Sequence, residues 1–257
     1  MNYEKDNLER APRSPQKTPL TIKKSKAFAQ IEEAGENYRK EEGTRLPYSF
    51  YIIVSGGERR EKDYFRLISN QDYFQRIKVE FIADPQQLNP QGLLNIAKKK
   101  QKQYKQSANS QNPDRIFLIS DVDHFYPELL TIQEEATRNR FTIVISNPCF
   151  EVWLYYGKCK EKPTDFKKPK EAKKISQAFK QHLDQKIAGG VNPKKAILDI
   201  RSAIENAKLN FAKDSRGIPE LFSTNMFELA EEILPLIDKE LEQYASQYKD
   251  ARKAHLD

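Results

Sequence analysis

Short apolar segments alternate with amphipathic segments between residues 48 and 146. The short segments are rich in branched and aromatic residues, which predicts strands, and the apolar positions of the longer segments recur at the spacing of a helix. The predicted order is strand 48–55, helix 61–68, strand 76–83, helix 91–106, strand 115–120, helix 127–138 and strand 141–146. This alternation predicts an α/β fold, with a parallel sheet of about four strands joined by right-handed crossovers.

The pattern changes after Asn147 and Pro148. We expect Asn147 to cap a helix and Pro148 to lie in its first turn. No further strand is evident, and the remaining amphipathic segments predict helices over 170–184, 193–212 and 224–248. The sequence therefore predicts an α/β core over residues 47–158 and a helical extension over residues 159–257.

Residues 1–46 have a different composition. Pro12, Pro15 and Pro19 lie among scattered charges, and the segment has little apolar surface to bury. We expect a flexible basic arm that could touch RNA or DNA, with a short helix possible over 26–42.

The overall composition limits the class of protein. Of 257 residues, 38% are hydrophobic and 32% are charged, and no apolar run is long enough to cross a bilayer. The N-terminus lacks the apolar core of a secretory signal, so we expect a cytoplasmic protein that has no membrane partner. Cys149 and Cys159 form no CxxC pair, which argues against a disulfide framework or a zinc site. The net charge of +7 suits a polyanionic partner, although surplus lysine also favours solubility.

The third predicted strand ends in two aspartates, Asp121 and Asp123. Ligands bind at the carboxyl ends of the strands in open α/β sheets, and side chains two residues apart on an extended chain point the same way. Two carboxylates aimed together repel each other unless a hard cation such as Mg²⁺ lies between them. The pair is therefore a candidate metal site. The alternative is that one aspartate caps the helix near Pro127 and the other faces water.

Two further polar segments follow predicted strands. In VSGGERRE, residues 54–61, the glycine pair allows close approach of a phosphate, and Glu58 and Glu61 begin a helix. Those glutamates could act in catalysis or complement the positive end of the helix dipole. In SNPCFEVW, residues 146–153, Glu151 lies in an apolar helix, where a carboxylate is costly unless it is paired, exposed or bound to metal. We expect Trp153 to be a core residue rather than a stacking platform for bases.

Basic residues recur on several predicted helix faces. Lys98, Lys102 and Lys105 share one face, and Lys194, Arg201 and Lys208 recur every seventh residue on another. They are either solvated faces or contacts for a nucleic acid, because phosphate contacts supply most non-specific affinity for nucleic acids.

The segments GGERREKDYF, ISDVDHF, ISNPCFEVWL and FSTNMFELAEEI, in this order, resemble the RloB family over roughly residues 48–240. The resemblance implies a Toprim-like core with a helical carboxyl extension. It also implies a role in abortive infection and phage defence, together with an ABC-type or OLD-like ATPase partner, in the manner of the AbiL and PARIS systems. The metal implied is Mg²⁺, with Mn²⁺ as a substitute.

The resemblance also assigns roles to residues. Asp121 and Asp123 match the aspartate pair that holds the metal. The second and third acidic positions of the family's first-strand pattern fall on Glu58 and Glu61, whereas its leading glutamate, the expected acid/base residue, falls on Gly56. Glu151 matches the glutamate of the SNPxFExWL motif, and a histidine usual in the family falls on Gly157.

These observations leave several functions open. The leading hypothesis is a metal-dependent nuclease acting on RNA, with tRNA suggested by analogy, or on DNA. Glu58 or Glu61 would transfer protons, Glu151 would be a further ligand or would orient the others, and the substrate backbone would be gripped by Arg59, Arg60, Lys98 and Lys102. Alternatively, the glycines mark a degenerate Toprim domain that binds nucleic acid or the ATPase without cleavage. A third possibility is a sugar- or phosphate-transfer enzyme. A homo-oligomer is possible in each case.

Overall fold

A mostly parallel sheet organises the core of the computed structural model. The strands are β1 (Tyr51–Ser55), β2 (Ile77–Phe81), β3 (Arg115–Asp121), β4 (Phe141–Asn147) and β5 (Ser223–Thr224). Their spatial order is β2-β1-β3-β4-β5, with β1 to β4 parallel and β5 antiparallel to β4. The prediction of an α/β fold with a parallel sheet flanked by helices is confirmed.

The structure describes residues 51–57, 59–69, 77–82, 88–107, 115–123, 125–171, 174–187 and 190–253. The predicted basic arm over 1–46 and Glu58 therefore lie outside the described residues. The helices of the core are α1 (Arg60–Tyr64), α2 (Arg66–Ser69), α3 (Pro90–Ser107), α4 (Tyr126–Arg138) and α5 (Glu151–Tyr156). The later helices are α6 (Ile175–Lys186), α7 (Pro193–Ala196), α8 (Ile200–Leu209) and α9 (Met226–Lys253), with a 3₁₀ turn at Ile197–Asp199.

Both faces of the sheet are buried, because helices cover each of them. Ile52 and Val54 of β1 pack with residues of α3 and α4 on one face. Ile53 belongs to the larger cluster on the opposite face, which also contains residues of α5, α8 and α9. Alternate residues of one strand thus anchor separate layers of helices, and the continuous apolar run of each central strand follows from this double burial.

Asn147 does not cap a helix, contrary to the sequence prediction. It remains in β4, paired with Ser223, and its Nδ2 donates a hydrogen bond of 2.7 Å to the carbonyl oxygen of Pro219. The Asn147–Pro148 peptide bond is cis, and α5 begins only at Glu151. The side chain of Asn147 is therefore committed to the strand edge, and Glu151 lies in the first turn of α5.

The carboxyl-terminal part contributes a strand, which the sequence pattern did not predict. β5 consists only of Ser223 and Thr224, too short to show a period of two. Asn225 extends the edge with its side chain: Oδ1 accepts a hydrogen bond of 2.6 Å from the Ile145 N–H, and Nδ2 donates one of 3.0 Å to the Ile143 carbonyl. The side chain thus pairs with β4 as a further strand residue would.

The long helices of the extension pack onto the core through regular apolar faces. Ile200, Ile204 and Ala207 are buried on α8, and Ile233 and Ile237 are buried on α9. None of the helices within the described ranges combines the length and the apolar character that crossing a membrane requires.

Candidate functional site

A pocket of about 350 Å³ lies at the carboxyl ends of the central strands. The pocket is formed by the segment after β1, the last residue of β3, the start of α5 and one side chain from α6. Its lining consists of Gly57, Arg59, Arg60, Glu61, Asp121, Glu151 and Lys180. Ligands bind at this edge in open α/β sheets, so the position suits a functional site.

Glu61 enters the pocket because Gly57, in the segment between β1 and α1, has no side chain. A Cβ atom at Gly57 would overlap the Glu61 carboxyl group. The Gly57 N–H donates a hydrogen bond of 3.2 Å to Ser55 Oγ, which ties this segment to the end of β1. Glu61 is buried, and desolvation raises its pKa to about 7, with a further rise from the Glu151 charge. Near neutral pH this carboxyl group can therefore both hold and release a proton.

Asp121 ends β3 with one carboxylate oxygen buried and unsatisfied. Within the described part of the chain, its Oδ1 has no hydrogen-bond partner. Desolvation raises the pKa of Asp121, and the charges of Glu61 and Glu151 raise it further, whereas the Lys180 charge and the Phe150 backbone N–H oppose the rise. A buried oxygen that lacks a donor is costly unless a ligand supplies the missing interaction.

Glu151 is buried rather than solvated, with only 2% of its surface exposed. Arg60 Nε and Lys180 Nζ each lie 3.6 Å from Glu151 Oε1. Burial of a carboxylate requires such partners, because an isolated charge loses its hydration. Of the alternatives left open for a carboxylate at this apolar position, exposure is therefore wrong, and the structure shows ion pairs with partners from α1 and α6.

An aromatic cluster fixes α1 against α5. The buried Tyr64 ring contacts Phe150 and Trp153 edge-on, with ring centroids 5.5 and 6.5 Å apart. Trp153 is 1% exposed, so it is a core residue and not a stacking platform for bases. The cluster holds the helix that carries Glu61 beside the helix that carries Glu151.

Lys180 is the pocket residue that sequence reasoning missed. It belongs to α6 of the helical extension, about 60 residues after β3 along the chain. Two turns of α6 are anchored by Phe179 and Leu183, both fully buried. In a chain with 44 lysines and arginines, nothing local distinguishes Lys180, and only the packing of α6 against the core shows its place.

The structure separates the two aspartates of the DVD motif. β3 ends at Asp121, and Asp123 lies in the following turn with φ of 25°. The alternation of side chains along a strand therefore does not extend to Asp123. Its backbone N–H donates a hydrogen bond of 3.0 Å to the Pro148 carbonyl, its side chain is exposed, and it does not line the pocket.

The four residues predicted to contact nucleic acid do not lie together in the structure. Arg59 is exposed and lines the pocket, whereas Arg60 pairs with Glu151 and donates a hydrogen bond of 3.5 Å to the Val191 carbonyl. Lys98 forms an ion pair with Glu135 of α4, and Lys102 is exposed on α3. Neither lysine lines the pocket. The other predicted stripe is ion-paired too, since Lys194, Arg201 and Lys208 contact Asp63, Asp238 and Glu231.

Glycines occupy two positions where the family resemblance led us to expect functional side chains. A Cβ atom at Gly56 would lie 3.0 Å from the Leu88 carbonyl oxygen. A Cβ atom at Gly157 would lie 3.2 Å from Asp199 Cβ. Both positions are closely packed, so the backbone around each is fitted to a residue without a side chain.

The donor set of the pocket suits a hard cation in kind. Asp121 and Glu61 offer carboxylate oxygens, and Asp121 Oδ1 has no hydrogen-bond partner among the described residues. Over the described ranges, no group of three or more His, Cys, Asp or Glu side chains is arranged to hold a metal ion. Mg²⁺ often takes only one or two carboxylates and completes its shell with water and substrate phosphates. Asp121 and Glu61 therefore offer the type of donor that Mg²⁺ takes.

Comparison with known proteins gives one family. The model of a family described as RloB-like protein matches residues 51–233, a range that includes every residue lining the pocket. No curated protein and no solved structure matches the chain.

Proposed function

The chain belongs to the RloB-like family, and from that premise we propose that the pocket at the strand ends is the active site of a metal-dependent nuclease. The observation that supports this most is the unsatisfied Asp121 Oδ1, which shares a pocket with two further carboxylates, Glu61 and Glu151. Such a group of charges stores repulsion that a divalent cation would relieve.

Each pocket residue has a separate role in this proposal. Asp121 and Glu61 would hold Mg²⁺, or Mn²⁺ in its place. When bound, the cation would stabilise negative charge on the scissile phosphate and lower the pKa of a bound water. Glu151 is the ion-pair partner of Arg60 and Lys180, and Arg59 would contact the substrate backbone. Proton transfer is assigned to Glu58, which immediately follows Gly57 in the sequence.

The test is cleavage by the purified protein. Bulk tRNA, a single-stranded RNA and a plasmid are incubated with the protein in MgCl₂, in MnCl₂ and in EDTA, beside Asp121→Ala. We expect metal-dependent cleavage of at least one substrate, and none by the variant. Equal cleavage by Asp121→Ala would point to a contaminating nuclease and remove the proposal.

The degenerate-domain alternative is favoured by one observation, the close packing of Gly56 where the family resemblance places a glutamate. It predicts that the protein binds nucleic acid or an ATPase, and that no metal restores cleavage. Binding without cleavage in the same assay would favour this alternative.

We also propose, from the family resemblance alone, that the protein is the effector of a phage-defence system and works with an ABC-type or OLD-like ATPase. Plaque formation on cells that carry the gene and its neighbouring ATPase gene tests this. We expect protection from the wild type and loss of protection with Asp121→Ala. Copurification of the two proteins tests their association.

A further inference from the structure

Lys180 is the pocket residue supplied by the helical extension. Its Nζ lies 3.6 Å from Glu151 Oε1, in the same pocket as Asp121 and Glu61. We infer that Lys180 contacts a backbone phosphate of the bound nucleic acid, so that the extension completes the site. This inference rests on the proposed nuclease function and adds to it a substrate contact outside the strand-end motifs.

The Lys180 ammonium group is open to a ligand. At 3.6 Å its contact with Glu151 is an ion pair beyond ordinary hydrogen-bond distance, so its three N–H donors are not spent on that carboxylate. The Lys180 side chain is 44% exposed, although it reaches a carboxylate that is 3% exposed. It therefore spans from the buried floor of the pocket to the solvent, which is the path that an entering phosphate would take.

Arg60 is less suited to this role, although it is also within 3.6 Å of Glu151. Its Nη1 donates a hydrogen bond to the Val191 carbonyl, which holds the guanidinium against the loop before α7. Arg60 thus has two protein partners at fixed positions, whereas among the described residues the ion pair of Lys180 is with Glu151 alone. Arg60 positions Glu151, and Lys180 can turn to a ligand.

The charge balance of the pocket admits an anion without metal, and a bound metal would favour one further. With every group ionised, the carboxylates of Glu61, Asp121 and Glu151 are balanced by the cations of Arg59, Arg60 and Lys180. A divalent cation would leave the pocket with two positive charges. The Lys180 ammonium would then be repelled by the metal unless an anion entered between them, and each phosphodiester group of a nucleic acid supplies one negative charge.

A second cation of the pocket lining also suits a polyanion. Arg59, in the segment before α1, is exposed, and the Lys180 side chain on α6 is 44% exposed. Two cations that come from different elements and both reach solvent can contact successive phosphates of one nucleic-acid strand.

Binding to a labelled single-stranded RNA of about 20 nucleotides, measured by fluorescence anisotropy in EDTA, tests the inference without relying on cleavage. The variants are Lys180→Met and Lys180→Arg. Lys186→Met is the matched control, because Lys186 lies on the same helix, is equally exposed and pairs with Asp165 at 2.6 Å.

We expect Lys180→Met to weaken binding about fivefold to tenfold and to reduce the slope of log affinity against log salt by about 0.7, as loss of one phosphate contact would. Lys180→Arg should retain most of the affinity.

The inference is overturned if Lys180→Met leaves affinity and salt slope unchanged, or if Lys186→Met lowers both equally. The Glu151→Gln background distinguishes a purely structural role, because in it Lys180 has lost its ion-pair partner Glu151. If adding Lys180→Met to the Glu151→Gln variant lowers the affinity further, the phosphate contact is supported. If it causes no further loss of affinity, the phosphate contact is overturned.

If the wild type cleaves RNA and Lys180→Met cleaves and binds equally well, the inference alone fails. If the wild type neither binds nor cleaves any substrate, the proposed function fails as well.

Discussion

The Glu61 carboxylate fills the space that a side chain at Gly57 would need. The two residues face each other across the turn between β1 and α1, and the missing Cβ lets Glu61 fold back into the pocket instead of pointing to solvent. The glycine therefore acts through the glutamate, not through a special backbone conformation. A substitution at Gly57 can therefore displace the Glu61 carboxylate without removing it.

Gly57→Ala should lower metal-dependent cleavage by about tenfold or more, because the Glu61 carboxylate must leave its position. The free energy of unfolding should change by less than about 1 kcal/mol, since the overlapping atoms belong to the end of a flexible side chain. Initial rates at saturating MgCl₂ and urea unfolding measure the two effects.

The control for Gly57→Ala is the same substitution in a Glu61→Ala background. If the glycine acts through Glu61, the double variant should be no slower than Glu61→Ala alone. A further decrease in rate would show that Gly57 serves another purpose, such as backbone approach by the substrate.

Asp121→Asn and Asp123→Asn should differ, although the two residues belong to one motif. Asp121 lines the pocket with a buried, unsatisfied oxygen, whereas Asp123 is exposed and lies outside the lining. We expect a loss of at least about a hundredfold in cleavage rate for Asp121→Asn and less than about tenfold for Asp123→Asn. MgCl₂ should raise the Tm of wild type and of Asp123→Asn, but not that of Asp121→Asn. Equal inactivity of both variants would show that the turn carrying Asp123 rearranges when metal binds.

The sheet was predictable because the residues on both faces of each central strand are apolar. Burial on both faces makes β1 and β3 continuous apolar runs, and their ends are marked by glycine or aspartate. β5 was not predictable, because two residues carry no period and their pairing depends on the distant β4. Likewise, the cap expected of Asn147 failed because a tertiary partner, Pro219, competes for its side chain.

The candidate site was predictable only where its residues follow a strand in the sequence. Glu61, Asp121 and Glu151 each lie within a few residues of a strand end, so topology alone brings them together. Lys180 lies in an extension whose packing no local pattern reveals. The separation of Asp123 from Asp121 also escaped prediction, because it depends on where β3 ends, and strand boundaries are set by tertiary contacts such as the hydrogen bond between Asp123 and Pro148.

Asn225→Ala should destabilise the fold without altering the site. Removal of the side chain leaves the Ile145 N–H and the Ile143 carbonyl without their partner at the strand edge. We expect a loss of about 2–4 kcal/mol in the free energy of unfolding, with the cleavage rate of the folded protein unchanged. Asn225→Asp, which keeps the acceptor and loses the donor, should fall between the wild type and Asn225→Ala. A loss below about 0.5 kcal/mol for Asn225→Ala would mean that water replaces both hydrogen bonds.

Glu61→Gln should flatten the dependence of stability on pH. Burial raises the pKa of Glu61 to about 7 in the folded protein, above its ordinary value near 4.3 when unfolded. The folded state therefore binds the extra proton, and its advantage is fully present below about pH 4 and is lost as pH rises to about 7. In EDTA, wild-type stability should fall over this range by at most about 3 kcal/mol more than that of Glu61→Gln, which has no proton to lose. Urea unfolding at pH 5 and pH 7.5 measures the difference. Identical pH dependence in the two proteins would mean that Glu61 is ionised in the folded state throughout, and that its carboxylate is better solvated than its burial implies.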